Sequence, residues 1–322
     1  MSKYRQMADF LLNCENLLLT AHHDPDADCI GSMLGLYHVA QGAKHGWTMV
    51  LEDKIPANLQ YLPGSENIIC PADIVAQPQH VLFLDCGEVS RVSRGWLNAY
   101  LNLPFYCIDH HVSNSFSGVL SLLEQNASST GEIVAAMCDA AEIALNIEAA
   151  TSLYTAIVSD TGCFRYENTT PRALEIAAKL LRQGVDMEKA RVQLFESRSA
   201  AGMVMLQIAF RNMCFTAQDR ICYSFVSYAD AKAVQATASD LNNIANYTLL
   251  RAGVKIGVLF EEYEHSVAVS LRSRQGLRMD KLAQSLGGGG HIRAAGCLIE
   301  GNLDAVLPQV LDKALAMILE EQ

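Results

Sequence analysis

The chain has 322 residues, half of them hydrophobic and 18% charged, with a formal net charge of −11. This length suits two domains with buried interiors, and the composition excludes a disordered chain. The acidic balance excludes an extended basic track for long DNA or RNA, so a phosphate-bearing partner should be small and held by a local cationic cluster. No apolar run reaches the roughly 18 residues that a bilayer span needs. The N-terminal MSKYRQMADFLLNCENLLLTAHHD has neither the apolar core nor the cleavage site of a signal peptide, so a cytoplasmic protein with no membrane partner is expected. The ten cysteines, Cys29 among them, are scattered and form no CxxC pair; they read as small buried hydrophobes in a reducing compartment.

In chain order, residues 16–21 read as a strand, 30–41 as a helix and 47–51 as a strand. Residues 81–84 and 105–108 are short apolar runs of the buried-strand type. Residues 129–142 read as a helix opened by Ser-Ser-Thr, and 149–158 and 171–182 as two more, the last with Pro171 in its first turn. Strands separated by helices predict an α/β domain with a mainly parallel sheet and helices on both faces. Residues 186–210 carry a helical pattern without a strand signal and read as a connector. Beyond it, 220–226, 255–260 and 266–271 alternate like antiparallel strands, with helices near 239–251 and at the C-terminus, which predicts a smaller α+β domain.

The candidate chemistry lies where strands end. T-A-H-H-D-P-D-A-D-C-I-G-S passes from strand to helix, and His22, Asp26 and Asp28 can converge there; Asp24 could join them, and His23 could replace His22. Asp85 follows V-L-F-L, Asp109, His110 and His111 follow F-Y-C-I, and Asp160 follows T-A-I-V-S. One ionisable residue after a buried run is an ordinary turn or cap. Several, with adjacent histidines and no thiolate motif, favour a two-metal cluster of Mn²⁺ or Mg²⁺ type. Near the C-terminus, L-G-G-G-G-H-I-R-A-A-G lets backbone amides approach an anion at Gly288, Gly289 and Gly290, beside His291 and Arg293. It lacks the Gly-Lys-Ser/Thr ending of a Walker A loop. Arg272 and Arg274 in L-R-S-R share a strand face, and Arg165 in D-T-G-C-F-R-Y is another guanidinium near the acidic set.

Together these motifs resemble the DHH phosphoesterase superfamily with its C-terminal DHH-associated domain. Asp109-His110-His111 stands as the naming triplet, H-x-x-x-D-x-D-x-x-G-S as the first motif, Asp85 as the second and S-D-T-G as the fourth. The size and layout are most similar to the bifunctional oligoribonuclease (nanoRNase) and pAp phosphatase group. The resemblance implies a catalytic metal-binding domain over 1–187, a helical connector over 188–212 and a substrate-binding domain over 213–322, with the active site in the cleft between the domains. It implies that His22, Asp26 and Asp85 hold one Mn²⁺ and that Asp28, Asp85, His110 and Asp160 hold the other, Mg²⁺ or Co²⁺ being substitutes. His111 would face the scissile phosphate and Asp109 would orient the histidines. Arg272, Ser273, His291 and Arg293 would close over the substrate.

The implied reaction is hydrolysis of very short oligoribonucleotides such as pGpG or pApA to mononucleotides, with pAp 3′-phosphatase activity beside it. The resemblance admits a homodimer. Three rivals remain at this stage: a manganese pyrophosphatase, a RecJ-like single-strand exonuclease, and a nucleotide-binding regulatory protein without turnover.

Overall fold

Short, almost wholly apolar strands cannot face water on either side, and helices therefore cover them. In the computed structural model, which describes residues 2–42, 44–111, 114, 116, 118–274 and 277–320, they do so in two units, Met1–Ser197 and Arg198–Gln322.

The first unit runs α1 (Lys3–Asn13), β1 (Leu17–Thr20), α2 (Ala27–Val39), β2 (Thr48–Val50), β3 (Ile68–Ile69), β4 (His80–Leu84), α3 (Val89–Val92), β5 (Phe105–Asp109), β6 (Leu120–Leu123), α4 (Thr130–Ala140), α5 (Ile147–Asp160), α6 (Pro171–Arg182) and α7 (Met187–Arg191). Its six strands lie in the order β3-β2-β1-β4-β5-β6, and every pairing is parallel. One face carries the larger core, where Leu17, Leu19, Leu82, Leu84 and Ile108 meet α1, α2, α4 and α5. The other is thinner: Leu18, Val50, Val81, Phe83 and Cys107 pack with α3 and the short 3₁₀ helix Trp96–Tyr100. The winding reverses between β1 and β4. In such sheets the loops leaving the two central strands diverge and open a crevice at the strands' carboxyl ends.

The helical layer is unusually tight where α2 crosses α5. A Cβ on Gly31 would lie 2.5 Å from the Ser152 carbonyl oxygen, and one on Gly35 2.6 Å from the Leu153 side chain. Glycine at these positions lets the two backbones approach until the start of α2 lies beside the end of α5. The price is the helix propensity that alanine would have supplied.

The second unit runs α8 (Ala200–Arg211), β7 (Cys214–Thr216), β8 (Ile221–Val226), α9 (Tyr228–Ala233), β9 (Ile256–Glu262), β10 (Ser266–Ser273), α10 (Met279–Gln284), β11 (Gly289–Gly290), β12 (Ala294–Glu300) and α11 (Leu303–Glu320). Its sheet has the order β11-β12-β10-β9-β8-β7. β8 and β9 are parallel, so the sheet is mixed and not purely antiparallel as the alternation suggested. Val258, Phe260, Val269 and Leu271 on one face meet Val306, Val310 and Ala314 of α11; Leu259 on the other packs with Met205 and Ala209 of α8.

Two expectations about helices need correction. Residues 186–210 are not one run: α7 passes into a π-helical turn, Val192–Glu196, and a new helix starts where the Ser199 side chain accepts the Gly202 amide at 2.8 Å. Residues 239–251 form two 3₁₀ stretches, Ala238–Leu241 and Ile244–Leu249, because Asn243 between them takes a left-handed φ of 64°. Among the described residues no helix is long and apolar enough to cross a membrane.

Candidate metal centre

The loops beyond β1, β4 and β5 carry His22, Asp85 and the pair His110-His111, and the start of α2 carries Asp26 and Asp28. Asp160 is not a strand-end residue as its sequence context suggested. It is the last residue of α5, where the helix dipole disfavours a carboxylate.

Asp85 stands at the centre. Its Oδ2 is 3.6 Å from His22 Nε2, and its Oδ1 is 3.5 Å from His110 Nε2. Its backbone takes a left-handed φ of 53°, a strained conformation that Asp tolerates better than most residues. Thr130 Oγ1, at the first position of α4, donates to Asp85 Oδ1 at 3.0 Å. Around it, His110 Nε2 lies 3.4 Å from Asp160 Oδ2 and 3.7 Å from Asp28 Oδ2, while His22 Nε2 lies 3.8 Å from Asp26 Oδ2.

His22, His110, Asp26 and Asp28 are each held by further hydrogen bonds. His22 Nδ1 is 2.7 Å from the His23 carbonyl and His110 Nδ1 is 3.2 Å from the Ala127 carbonyl. A carbonyl only accepts, so each Nδ1 carries a proton, and Nε2 is the atom that the neutral ring would offer to a cation. Asp26 caps α2 through Oδ1, which accepts the Asp28 and Cys29 amides at 3.0 and 3.1 Å; Oδ2 is the oxygen turned to His22. Asp28 is fully buried and accepts from Thr130 N at 2.7 Å, Gly131 N at 3.0 Å and Ser32 Oγ at 3.2 Å. The positive end of the α4 dipole thus faces that carboxylate. His111 Nδ1 bonds to Asp109 Oδ1 at 2.7 Å, and Asn114 Nδ2 donates to Asp109 Oδ2 at 2.5 Å.

The electrostatics show what the cluster lacks. Burial pushes the Asp28 and Asp160 carboxyls well above the usual carboxylate range, and neighbouring carboxylates add to it. Burial acts the same way on Asp85, but the His22 bond and the fields of His111 and His110 outweigh it and hold Asp85 well below that range. Burial also opposes charge on His22 and His111, yet both are raised: His22 by Cys29 and Asp85, His111 by Asp109 and Asp85. Within residues 2–197, no described lysine or arginine pairs with Asp28, Asp85 or Asp160. Several buried carboxylates without a guanidinium or ammonium, beside imidazoles presenting lone pairs, fit divalent cations. Two donor groups stand out: His22 with Asp26 and Cys29, and Asp28 with His110 and Asp160.

The remaining candidate residues make the following contacts within their own units. His23 pairs with exposed Asp24, Nδ1 to Oδ2 at 3.0 Å, and the Asp24 amide donates to Asp53, which binds Arg94; this is a separate surface group. Arg165 is exposed, donates from Nε to the Gly162 carbonyl at 2.6 Å and lies over the Phe195 ring. In the second unit, Arg272 Nε donates to Asn246 at 2.7 Å, Ser273 Oγ to the Leu277 carbonyl at 2.8 Å and Arg293 Nη1 to the Arg274 carbonyl at 2.6 Å. The glycine run that was read as an approach for an anion forms a short hairpin. Gly289 and Gly290 pair with Gly296 and Ala295, and His291 N donates to the Ala294 carbonyl at 2.8 Å.

Four supporting residues escaped the sequence reading. Thr130 was visible only as a cap residue, and Ser32 and Gly31 only as part of a motif whose physical use, a hydroxyl for Asp28 and a helix crossing, is three-dimensional. Asn114 left no signal at all.

Residues 16–157 match the DHH family, N-terminal domain, and residues 218–321 match the DHHA1 domain. A bifunctional oligoribonuclease and PAP phosphatase NrnA of Thermus thermophilus is 31% identical over 99% of this chain and 94% of that protein. The chain belongs to the DHH family. Another NrnA, of Bacillus subtilis, is 26% identical over 88% of this chain and 90% of that protein. The fold of this DHH protein is also that of an exopolyphosphatase-related protein from Bacteroides fragilis, with a TM-score of 0.88 at 21% identity, covering 98% of this chain and 95% of the other.

Proposed function

We propose that this DHH protein is a metal-dependent phosphoester hydrolase that cleaves very short oligoribonucleotides to mononucleotides and removes the 3′-phosphate of pAp. The observation that carries the reading is the Asp85 carboxylate, whose two oxygens face the Nε2 atoms of two different histidines among buried carboxylates. The similarity to oligoribonuclease and PAP phosphatase relatives along nearly the whole chain supports the substrate class.

His22, Asp26 and Asp85 would hold one ion, and Asp28, Asp85, His110 and Asp160 the other; Mn²⁺ suits this nitrogen and oxygen set, with Mg²⁺ or Co²⁺ as substitutes. Bound divalent ions supply Lewis-acid polarisation of the phosphoryl group and acidify water. The chain supplies the rest. Asp109, fixed by Asn114, holds the His111 ring through Nδ1, so that Nε2 is the nitrogen directed to a phosphate oxygen. The raised pKa of His111 keeps a proton there for the charge that develops on the phosphate or the leaving oxygen. The His23 and Ala127 carbonyls keep His22 and His110 in one tautomer, and Thr130 fixes the rotation of Asp85. Substrate holding we assign to the second unit, with Arg272 and His291 as the phosphate contacts and 1–187 as the catalytic part.

The test is one panel of pGpG, pApA, a five-nucleotide RNA, pAp and pyrophosphate, each with Mn²⁺. Mononucleotides from the dinucleotides, and AMP from pAp, are the expected products. Turnover of pyrophosphate alone would overturn the substrate class, and binding without turnover of any substrate would overturn the enzyme.

A further inference from the structure

The ligand set above leaves out Cys29, which stands among its members. Cys29 occupies the first turn of α2, three residues after Asp26 and one after Asp28, and is fully buried. Its Sγ, a ring nitrogen of His22 and a carboxylate oxygen of Asp26 all lie within 4.8 Å of one another. Among the described residues, no other cysteine joins a group of three such donors. The neighbours are also preset. His22 Nδ1–H is engaged by the His23 carbonyl, so Nε2 is the atom that the neutral ring would offer to a cation, and Asp26 Oδ1 is used by the helix cap, so Oδ2 faces His22. The Cys29 thiol lies 3.5 Å from the Asp26 carbonyl, to which it can donate, and it also hydrogen-bonds the His22 side chain, so sulfur and imidazole face one point. Cys29 borders the apolar core beneath α2, and beside those hydrocarbon neighbours its sulfur also has an imidazole and a carboxylate, which a cysteine that merely filled an apolar gap would not have.

We propose that Cys29 is a further ligand of the ion held by His22, Asp26 and Asp85, making that position a nitrogen, oxygen and sulfur site selective for a thiophilic divalent ion such as Zn²⁺ or Co²⁺ over Mg²⁺. The proposal rests on the metal reading above and deepens it. The second position, with Asp28, Asp85, His110 and Asp160, offers only nitrogen and oxygen, so the two ions of one centre differ in kind. As the metal–sulfur bond forms, the thiol gives its proton to solvent and no electron is transferred.

The experiment titrates the metal-free, full-length protein with Co²⁺ while bound ions are counted by equilibrium dialysis and absorption is recorded. The expected result is a near-ultraviolet sulfur-to-cobalt charge-transfer band that saturates with one of two ions. It is lost in Cys29→Ser and kept in Cys138→Ser, while the visible bands of bound Co²⁺ persist in both. Two bound ions without that band, or a band that survives Cys29→Ser, overturns the ligand assignment and leaves the hydrolase reading standing. No Co²⁺ binding at all removes the centre itself. Should Cys29→Ser not fold, cadmium NMR of the wild-type protein decides alone: one resonance shifted downfield by sulfur supports the assignment, and two in the nitrogen and oxygen range overturn it.

Discussion

In the first unit, His22, Asp26 and His110 each tie one polar atom to the backbone and turn the other toward a shared point around Asp85. In the second unit, Ser273 and Arg293 give polar atoms to the Leu277 and Arg274 carbonyls of that unit. Both arrangements satisfy buried or half-buried polar groups, but only the first leaves a set of convergent donors with a charge deficit. Chemistry-bearing residues near a glycine loop therefore mean different things according to which of their atoms the scaffold has already used.

The largest effect should come from breaking the shared point. Asp85→Asn keeps the shape and the oxygen that accepts from Thr130, but removes the charge that faces both histidines. Loss of several kcal/mol of electrostatic stabilisation corresponds to a fall of roughly 10³-fold or more in kcat/KM. The variant should also bind fewer than two ions. Wild-type turnover on pApA would show that the convergence around Asp85 is only structural.

The second unit is tested through its glycines. A Cβ on Gly288 would lie 2.1 Å from the Gly296 carbonyl oxygen, whereas one on Gly289 meets nothing within 4 Å. Gly288→Ala should then force β11 from β12 and destabilise the protein by an amount near the top of the roughly 1–3 kcal/mol range for overpacking. Gly289→Ala should stay within about 0.5 kcal/mol. Urea denaturation measures both. If Gly288→Ala left the midpoint unchanged and raised KM for pAp, the glycine would serve substrate approach and not strand packing.

These contrasts explain what was legible in the sequence. The apolar runs of β1, β4 and β5 and the carboxylates and histidines behind them follow one another locally, and a strand's carboxyl end is where a parallel sheet binds ligands. That made both the sheet and the acidic cluster readable. The hydrogen bonds that aim those groups were not, because Thr130 and Asn114 reach Asp85 and Asp109 only after folding. The break near Ser199 and the left-handed Asn243 escaped for a related reason: apolar spacing reports a buried face and is blind to where the backbone leaves the helix. Cys29 was hidden by its residue type, since most buried cysteines have no ligand to hold.

The last predicted effect concerns a carboxyl of the second unit that has no histidine cluster around it. Glu261, on β9 opposite Ala268 of β10, is pushed up to about 7 by burial, with Arg272 partly offsetting. The folded chain therefore keeps this proton to about pH 7, whereas the unfolded chain releases it near the ordinary value of 4.5. The associated stability is present in full below about 4.5 and is lost as the pH rises through about 7. The shift bounds the effect at about 3 kcal/mol, and the side chain's partial contact with solvent brings the expected loss nearer to about 1 kcal/mol. Glu261→Gln removes the titration, so its urea midpoint should fall less than that of the wild type between pH 5 and pH 8, with the two crossing or converging on the acid side. An unchanged pH slope would mean that Arg272 neutralises Glu261 fully. The second unit would then already hold its own half-buried cation, which the acidic cluster of the first unit must obtain from solution.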